Sequence, residues 1–143
     1  MEFEKSRYES VSIKMNIADC ANVMADLADN GWEILEDHRK DYHEILLHVL
    51  AGELVTEPLI DLLKYHMDRE NEIWKYCKAI EDMWKNGDDK VVNVVDVTIL
   101  ERLSDDEDVW YKFASFISNE FKNYINNEVL RFNVMMANVK SLK

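Results

Sequence analysis

The side chains best suited to binding a metal are four histidines, and their spacing argues against a shared site. His38, His43 and His48 follow one another at intervals of five residues, whereas side chains on one helix face lie about three or four residues apart. Glu44 and His48 are four residues apart and could hold one ion together. The sequence has neither the Glu-x-x-His pairs of di-iron bundles nor a His-Glu-x-x-His motif. We therefore expect no metal site and no cofactor.

Nucleophilic catalysis would require an activated side chain, and Cys77 is the best candidate. Lys75 and Lys78 lie close to it in sequence and could lower the pKa of its thiol. Cys77 also shares the apolar face of a predicted helix with Ile73 and Ile80, which favours an inert position in the core. The chain has only three glycines, and they form neither a nucleophile elbow nor a phosphate-binding loop. The sequence therefore predicts a protein that is not an enzyme.

Carboxylates are abundant in this chain, and two dense clusters stand out. The clusters are Asp88 with Asp89, and Asp105, Asp106, Glu107 and Asp108. Acidic residues at helix starts cap free N–H groups and complement the helix dipole, or they offer an acidic rim to a basic partner. The predicted helix between the clusters has about 14 residues and a length of roughly 21 Å, so the clusters would lie at its opposite ends. We take all six residues as candidate partner contacts.

Two tryptophans and the overall charge also indicate a binding partner. Trp32 and Trp84 lie at predicted helix ends, and exposed aromatic side chains often serve as interface hot spots. The 143 residues carry a formal net charge of −12, which disfavours binding to nucleic acids and to anionic membranes. Such a charge attracts a basic protein partner, although acidity can also serve solubility alone.

The elements that carry these side chains are predicted to be helices. Three glycines and one proline can build few turns, and 48% hydrophobic residues supply a core. Apolar residues recur at helical spacing and predict about seven or eight helices in one all-α domain of residues 1–143, arranged as a HEAT-like or irregular bundle. In residues 1–15, Val11, Ile13 and Met15 alternate with polar residues and could form an extended arm.

Several helix boundaries can be predicted from individual residues. Asn16 is expected to cap the first helix, Asp68 to cap a later one, and the run Ser118-Asn119-Glu120 to cap the last. Apolar residues from Tyr42 to Leu50 indicate one continuous helix, and Thr56-Glu57-Pro58 indicates a new helix start, because proline is tolerated in a first turn. The last helix is expected to carry residues 121–139, and its aromatic side chains, Phe132 among them, are mostly assigned to the core.

The segment from Val91 to Leu103 is the one place where helix and strand compete. Its β-branched residues favour a strand. Val91, Val94 and Val95 nevertheless keep helical spacing, and a segment of about 14 residues is long for a strand. We therefore predict a helix between the two acidic clusters.

The same region resembles known helical proteins. The run from Ala79 to Leu103 resembles a HEAT-type repeat: an apolar helix, an Asp-containing turn, and a second helix with a valine just after the turn. Residues 81–103 also fit the pattern E-x-M-x-x-x-x-D-x-x-V-x-N-V-x-x-V-x-I-L-E-x-L. This pattern is similar to that of a family of small helical bacterial proteins that includes immunity proteins of contact-dependent growth inhibition and polymorphic toxin systems.

The resemblance implies a binding function without catalytic residues. An immunity protein neutralises a cognate toxin, and an acidic one could cover the basic groove of a nuclease. The alternatives are a HEAT-like adaptor that regulates another partner, and a metal-dependent helical-bundle enzyme built on a His/Glu pair. The N-terminal residues Met1–Lys5 do not begin a signal peptide, and no apolar stretch reaches about 18 residues, so we expect a cytoplasmic protein.

Overall fold

The computed structural model describes residues 13–143, and these residues form seven helices. The helices are α1 (Ile17–Ala25), α2 (Gly31–Tyr42), α3 (47–65), α4 (Glu70–Asn86), α5 (89–103), α6 (Glu107–Ala114) and α7 (119–132). A short 3₁₀ turn, Val134–Met136, follows α7. The prediction of an all-α fold with about seven or eight helices is therefore confirmed. None of the helices in this part of the chain is long and apolar enough to cross a membrane.

Helix α5 is the central element of the packing, and its predicted helical character is confirmed. Its buried residues are Val91, Val94, Val95, Ile99, Leu100 and Leu103. Helices α1, α3, α4 and α6 all contact it, and Tyr124 of α7 reaches it through a hydrogen bond to Asp96. The β-branched valines are thus accommodated in a helix because tertiary burial outweighs their weak helix propensity.

Side-chain caps start four of the seven helices. Asn16 accepts a hydrogen bond from the Asp19 backbone N–H at 2.8 Å, and Asp19 reciprocates, which completes a capping box at α1. The side chains of Asp88, Asp106 and Ser118 cap α5, α6 and α7 by each accepting one hydrogen bond from a backbone N–H of the first turn. The prediction for Asn16 is confirmed, and that for Ser118-Asn119-Glu120 is confirmed at Ser118. The prediction for Asp68 is wrong, since Arg69 occupies the N-cap of α4 and makes no side-chain capping bond.

The predicted helix across residues 42–50 is also wrong, because α2 ends at Tyr42 and His43 follows in the left-handed conformation (φ 60°). Buried His38 fixes the connection to α3, since its Nε2 accepts a hydrogen bond from the Leu46 N–H at 2.9 Å. This bond satisfies a backbone donor in a partly buried turn. His38 therefore has a structural role within the α2–α3 turn.

Three helices contain a wider π-helical turn, which the sequence analysis did not anticipate. The π turns are Gly52–Thr56 in α3, Val94–Ile99 in α5 and Ile125–Val129 in α7. The helix start predicted at residues 56–58 is wrong, because α3 runs straight through it. Pro58 lacks an N–H and would crowd the carbonyl of the fourth preceding residue in a regular helix, and the π turn just before it changes that local geometry.

The end of the chain departs from the predicted last helix. Helix α7 stops at Phe132, and residues up to 139 form the 3₁₀ turn and irregular chain. Phe132 is 68% exposed, so its assignment to the core is wrong. The 3.6-residue period used for that assignment does not hold through the π turn at Ile125–Val129.

The segment before α1 is attached to the turn between α4 and α5. The Met15 N–H donates to the Asn86 carbonyl at 2.7 Å, and the Asp88 N–H donates to the Met15 carbonyl at 2.9 Å. Met15 and Gly87 thereby form an isolated parallel bridge. Of the predicted extended arm, only residues 13–15 are described, and residues 1–12 lie outside the described residues.

Substituting Gly87 tests the close packing of this turn. A Cβ at Gly87 would collide with the Met83 carbonyl and with the side chain of Val91. We expect Gly87→Ala to lower the free energy of unfolding by about 2 kcal/mol, because an overpacked backbone contact cannot relax cheaply. Urea denaturation followed by circular dichroism measures this change.

The matched control is Gly52→Ala, because a Cβ there meets no atom within 4 Å. Alanine is a better helix former than glycine, so this variant should be neutral or stabilising by up to about 1 kcal/mol. Equal losses of stability in both variants would contradict the close approach at Gly87.

Candidate functional site

The acidic cluster of residues 105–108 spans the turn between α5 and α6 and the first turn of α6, and each of its members forms an ion pair with a cation of the same chain. The four ion pairs are Asp105–Arg102, Asp106–Lys64, Glu107–Lys140 and Asp108–Lys112, with N–O distances of 3.5, 3.7, 3.8 and 2.9 Å. Asp106 also caps α6 by accepting from the Val109 N–H at 3.0 Å. That hydrogen bond, with the charge of Lys64, holds the pKa of Asp106 below its ordinary value. Arg102 also pairs with Glu57 at 3.0 Å, so the charge of this cluster is partly compensated within the chain.

The other predicted cluster lies at the opposite end of α5. Asp88 caps the helix by accepting from the Val91 N–H at 3.0 Å, which accounts for its position without a partner. Asp89 is exposed in the first turn of α5 and sits beside Lys90. The two clusters are thus separated by the length of the helix, as the sequence analysis expected.

The two candidate tryptophans occupy different environments. Trp84 is half-buried and stacks on Phe121, with ring centroids 4.8 Å apart, so it mainly packs α4 against α7. Trp32 is 48% exposed, and its Nε1 donates to Asp26 at 2.7 Å. The structure does not bring either tryptophan together with the acidic clusters into one site.

A groove that the sequence analysis did not identify lies between α5 and α7. It has a volume of about 420 Å³ and is lined by Asn93, Asp96, Val97, Glu101, Glu128, Val129, Phe132, Asn133 and Met135. We call it the α5–α7 groove. The residues that line it come from two regions about 30 positions apart in the chain, so only the packing of α7 against α5 creates it.

The π turns of these two helices supply much of the groove lining. Asp96 and Val97 belong to the π turn of α5, and Glu128 and Val129 to that of α7. A π turn adds a residue to the helical repeat and changes which side chains face a neighbour, and such turns recur at functional sites. No pattern in the sequence signals these turns, which is why the groove could not be anticipated.

Asp96 is the most unusual residue of the groove. Its Oδ2 accepts a hydrogen bond from the Tyr124 hydroxyl at 2.6 Å, whereas Oδ1 is buried and has no hydrogen-bond partner among the described residues. Burial raises the pKa of Asp96 above its ordinary value, and the Tyr124 hydrogen bond only partly opposes this shift. Burial, followed by the bond to Asp96, also raises the pKa of Tyr124. A buried acceptor without a donor is costly to the fold.

The other two carboxylates of the α5–α7 groove add negative charge, and the exposed residues at its rim are apolar. Glu101 accepts from the Asn133 amide at 3.2 Å, and Glu128 is exposed. Within residues 13–143, no lysine, arginine or histidine forms an ion pair with the three groove carboxylates. Phe132 and Met135 are 68% and 75% exposed beside them. The groove therefore combines uncompensated negative charge with exposed apolar surface.

A second cavity lies on the other side of α5. It has a volume of about 430 Å³ and is mostly apolar, with Ile17, Ile45, Leu46, Val49 and Val94 in its wall. Asn93 lines both this cavity and the α5–α7 groove. The exposed edge of α5 is thus flanked by two depressions, one apolar and one acidic.

The two cysteines, of which Cys77 was considered as a nucleophile, lie in the core. Cys77 and Cys20 are free and buried, as expected of core cysteines. Burial raises the pKa of Cys77, and it raises that of Cys20 to about 12.

His48, which was considered as a metal ligand, forms a hydrogen bond with Thr98 of α5. In the described part of the chain, no three His, Cys, Asp or Glu side chains are grouped so as to hold a metal ion.

These features define an all-α protein whose most distinctive surface is an acidic groove with an apolar rim. Residues 17–133 match the family described as Domain of unknown function (DUF7674), and the chain therefore belongs to this family. The description of the family names no activity, substrate or partner. No curated protein and no solved structure matches the chain.

Replacing Asp96 tests whether its partly buried carboxylate opposes folding. Because the pKa of Asp96 is raised in the folded state, ionisation of this group costs stability as the pH rises above its ordinary value of 3.8. An asparagine at this position would stay neutral and keep an acceptor for Tyr124. We expect Asp96→Asn to raise the free energy of unfolding by roughly 1 kcal/mol at neutral pH, and the gain to vanish below the ordinary pKa.

Urea denaturation at neutral pH and near pH 3.5 measures both effects. Asp89→Asn is the matched control, because it removes an exposed carboxylate from the same helix and should cause at most a small loss. A clear loss of stability in Asp96→Asn at neutral pH would contradict this account of the buried carboxylate.

Proposed function

We propose that this protein acts without catalysis, as an immunity protein that binds and neutralises a cognate bacterial toxin with a basic surface. The observation that carries the proposal is the α5–α7 groove, where three carboxylates without an ion pair among the described residues lie beside exposed Phe132 and Met135. Exposed apolar side chains next to charge are typical of protein interfaces, where a few anchors supply most of the binding energy.

The charge of the chain supports a basic partner. A net charge of −12 produces a negative potential that accelerates encounter with a positive surface, mainly at low salt. A nuclease toxin fits this requirement, because it needs a basic groove for its own phosphate-rich substrate. An acidic protein could occupy that groove and exclude the substrate.

The sequence resemblance supports the same proposal from a separate direction. Residues 81–103, which resemble the immunity-protein pattern, span the last turns of α4 and all of α5. Helix α5 carries Asn93, Asp96, Val97 and Glu101 in the groove. The segment that carries the resemblance therefore also supplies one wall of the proposed binding surface.

The direct test co-produces this protein with the product of the gene next to its own, which the proposal expects to be a toxin. Co-production should yield a complex that survives gel filtration and should rescue the growth of cells that make the toxin. The association rate should fall steeply as salt is raised. If the complex forms but the partner is not toxic, the protein is an adaptor; if no complex and no rescue occur, the proposal is wrong.

Two charge variants locate the binding surface. We expect Glu101→Gln with Glu128→Gln to slow association severalfold at low salt, because these carboxylates lack an ion pair within residues 13–143. The comparison variant replaces Asp105, Glu107 and Asp108 by amides and spares the capping residue Asp106. Since these three are paired internally, its association rate should change less. Stopped-flow measurements give both association rates. If the comparison variant associates more slowly than the variant with Glu101→Gln and Glu128→Gln, the interface lies at the α5–α6 turn.

A further inference from the structure

The mostly apolar cavity on the other side of α5 has the features of a second binding site, and we call it the α3–α5 cavity. We propose that it binds an unbranched aliphatic carboxylate, with the carboxylate group at Lys90 and Asn93 and the alkyl chain along the apolar wall. The occupant of this cavity is a small molecule, and its binding does not depend on the immunity proposal.

The size and the wall of the α3–α5 cavity suit an alkyl chain. Its volume of about 430 Å³ falls within the range of roughly 300–1,000 Å³ that is usual for small-molecule sites. Three segments meet there: the start of α1, the chain that enters α3, and the first turns of α5. The apolar side chains of the wall are Ile17, Ile45, Leu46, Leu47, Val49 and Val94.

Part of this apolar wall is open to solvent, so a ligand can reach it without a change in the fold. Val49 is 43% exposed, and Ile17, Ile45 and Leu46 are only partly buried. Covering such surface with an alkyl chain removes apolar area from water, which is favourable in proportion to the area covered.

Two polar side chains of α5 supply hydrogen-bond donors at the same cavity. Lys90 and Asn93 both line it, both are exposed, and they lie three residues apart, so they are neighbours on one face of the helix. Lys90 forms no ion pair within residues 13–143. An ammonium group beside an amide can hold a carboxylate through a charge-assisted hydrogen bond.

Carboxylates of the chain itself do not occupy this position. No aspartate or glutamate of the described residues lines the cavity, although the whole chain has 29 acidic residues. The nearest ones in sequence are Asp88, which accepts from the Val91 N–H, and Asp89. Successive residues of a helix do not face each other, so Asp89 is poorly placed to pair with Lys90. The cavity therefore combines an apolar body with a cationic mouth.

The net charge of −12 opposes the approach of an anion, but this effect acts over a long range. It is largely screened beyond about 10 Å at 0.1 M salt, whereas contact with Lys90 is local. Helix α3 also begins in the cavity wall without a side-chain cap, which places the positive end of its dipole there. At ordinary salt, the local positive groups should outweigh the distant negative ones.

The shortage of polar groups in the wall favours an aliphatic carboxylate over the C-terminus of a peptide. Every peptide residue carries an amide, and an amide placed against an apolar wall loses water without gaining a partner. Besides Lys90 and Asn93, the only polar side chain that lines the described cavity is His48, which hydrogen-bonds Thr98. An unbranched alkyl chain needs no such partners.

The test uses the full chain at pH 7 with sodium octanoate as the probe. Two-dimensional NMR should show shifts at Ile17, Ile45 and Val49 that saturate with octanoate concentration. Hexanoate should bind roughly fivefold to tenfold more weakly, because two fewer methylene groups are buried. Octylammonium has the same chain and the opposite charge, and should bind at least about fivefold more weakly than octanoate.

A variant of Lys90 tests the role of the cation. Lys90→Gln keeps a long side chain without the charge and should weaken octanoate binding about fivefold, while the binding of uncharged octanol stays unchanged because the apolar wall is intact. The matched control is Lys75→Gln, because Lys75 is exposed on α4, does not line the cavity, and changes the net charge equally. This control should bind octanoate as the wild type does.

Several results would overturn the proposed occupant. These are the absence of saturable shifts at the cavity, binding of octylammonium as tight as that of octanoate, or unchanged octanoate affinity in Lys90→Gln. N-acetyl-leucine presents the carboxylate of a peptide C-terminus, and binding tighter than that of octanoate would assign the cavity to a peptide instead. None of these measurements contains a toxin, so failure of the immunity proposal leaves their outcome unaffected.

Discussion

The burial of α5 is the constraint on which the rest of the structure depends. Its apolar face, which includes Val94, Val95 and Ile99, is covered by α1, α3, α4 and α6. A helix held from several sides has little freedom to shift or rotate, because close-packed side chains tolerate only small displacements. The polar residues on its remaining edge, Asn93 and Asp96, therefore occupy fixed positions, and this rigidity favours their use in recognition.

The distribution of charge partners separates structural carboxylates from available ones. Of the six acidic residues that the sequence analysis singled out, Asp88 and Asp106 cap helices, and Asp105, Glu107 and Asp108 pair with cations of the same chain. Asp89 is exposed in the first turn of α5 and has neither role among the described residues. The groove carboxylates lack such cations within residues 13–143, and Asp96 is held at a cost to stability. A buried polar group that opposes folding is often retained for function, since stability and function compete at such sites.

Much of the fold could be predicted from the sequence because local rules govern it. Asn16 and Ser118 cap helices because their side chains satisfy free N–H groups, and Gly87 follows the end of α4. The site was much less predictable. Asp96 and Val97 resemble ordinary helix residues, and nothing local links them to Glu128 or Phe132, which lie more than 30 residues later in the chain.

The sequence by itself determined that the chain is helical and acidic, because composition, periodicity and capping act over a few residues. Only the tertiary structure decided which acidic residues remain without a cation among the described residues, because Lys64 and Lys140 reach Asp106 and Glu107 across the fold. Tertiary packing likewise decided where α3, α5 and α7 widen into π turns and that Phe132 stays exposed. These features depend on contacts between segments that are distant in the chain. The free energies of such contacts are not encoded in any local sequence pattern.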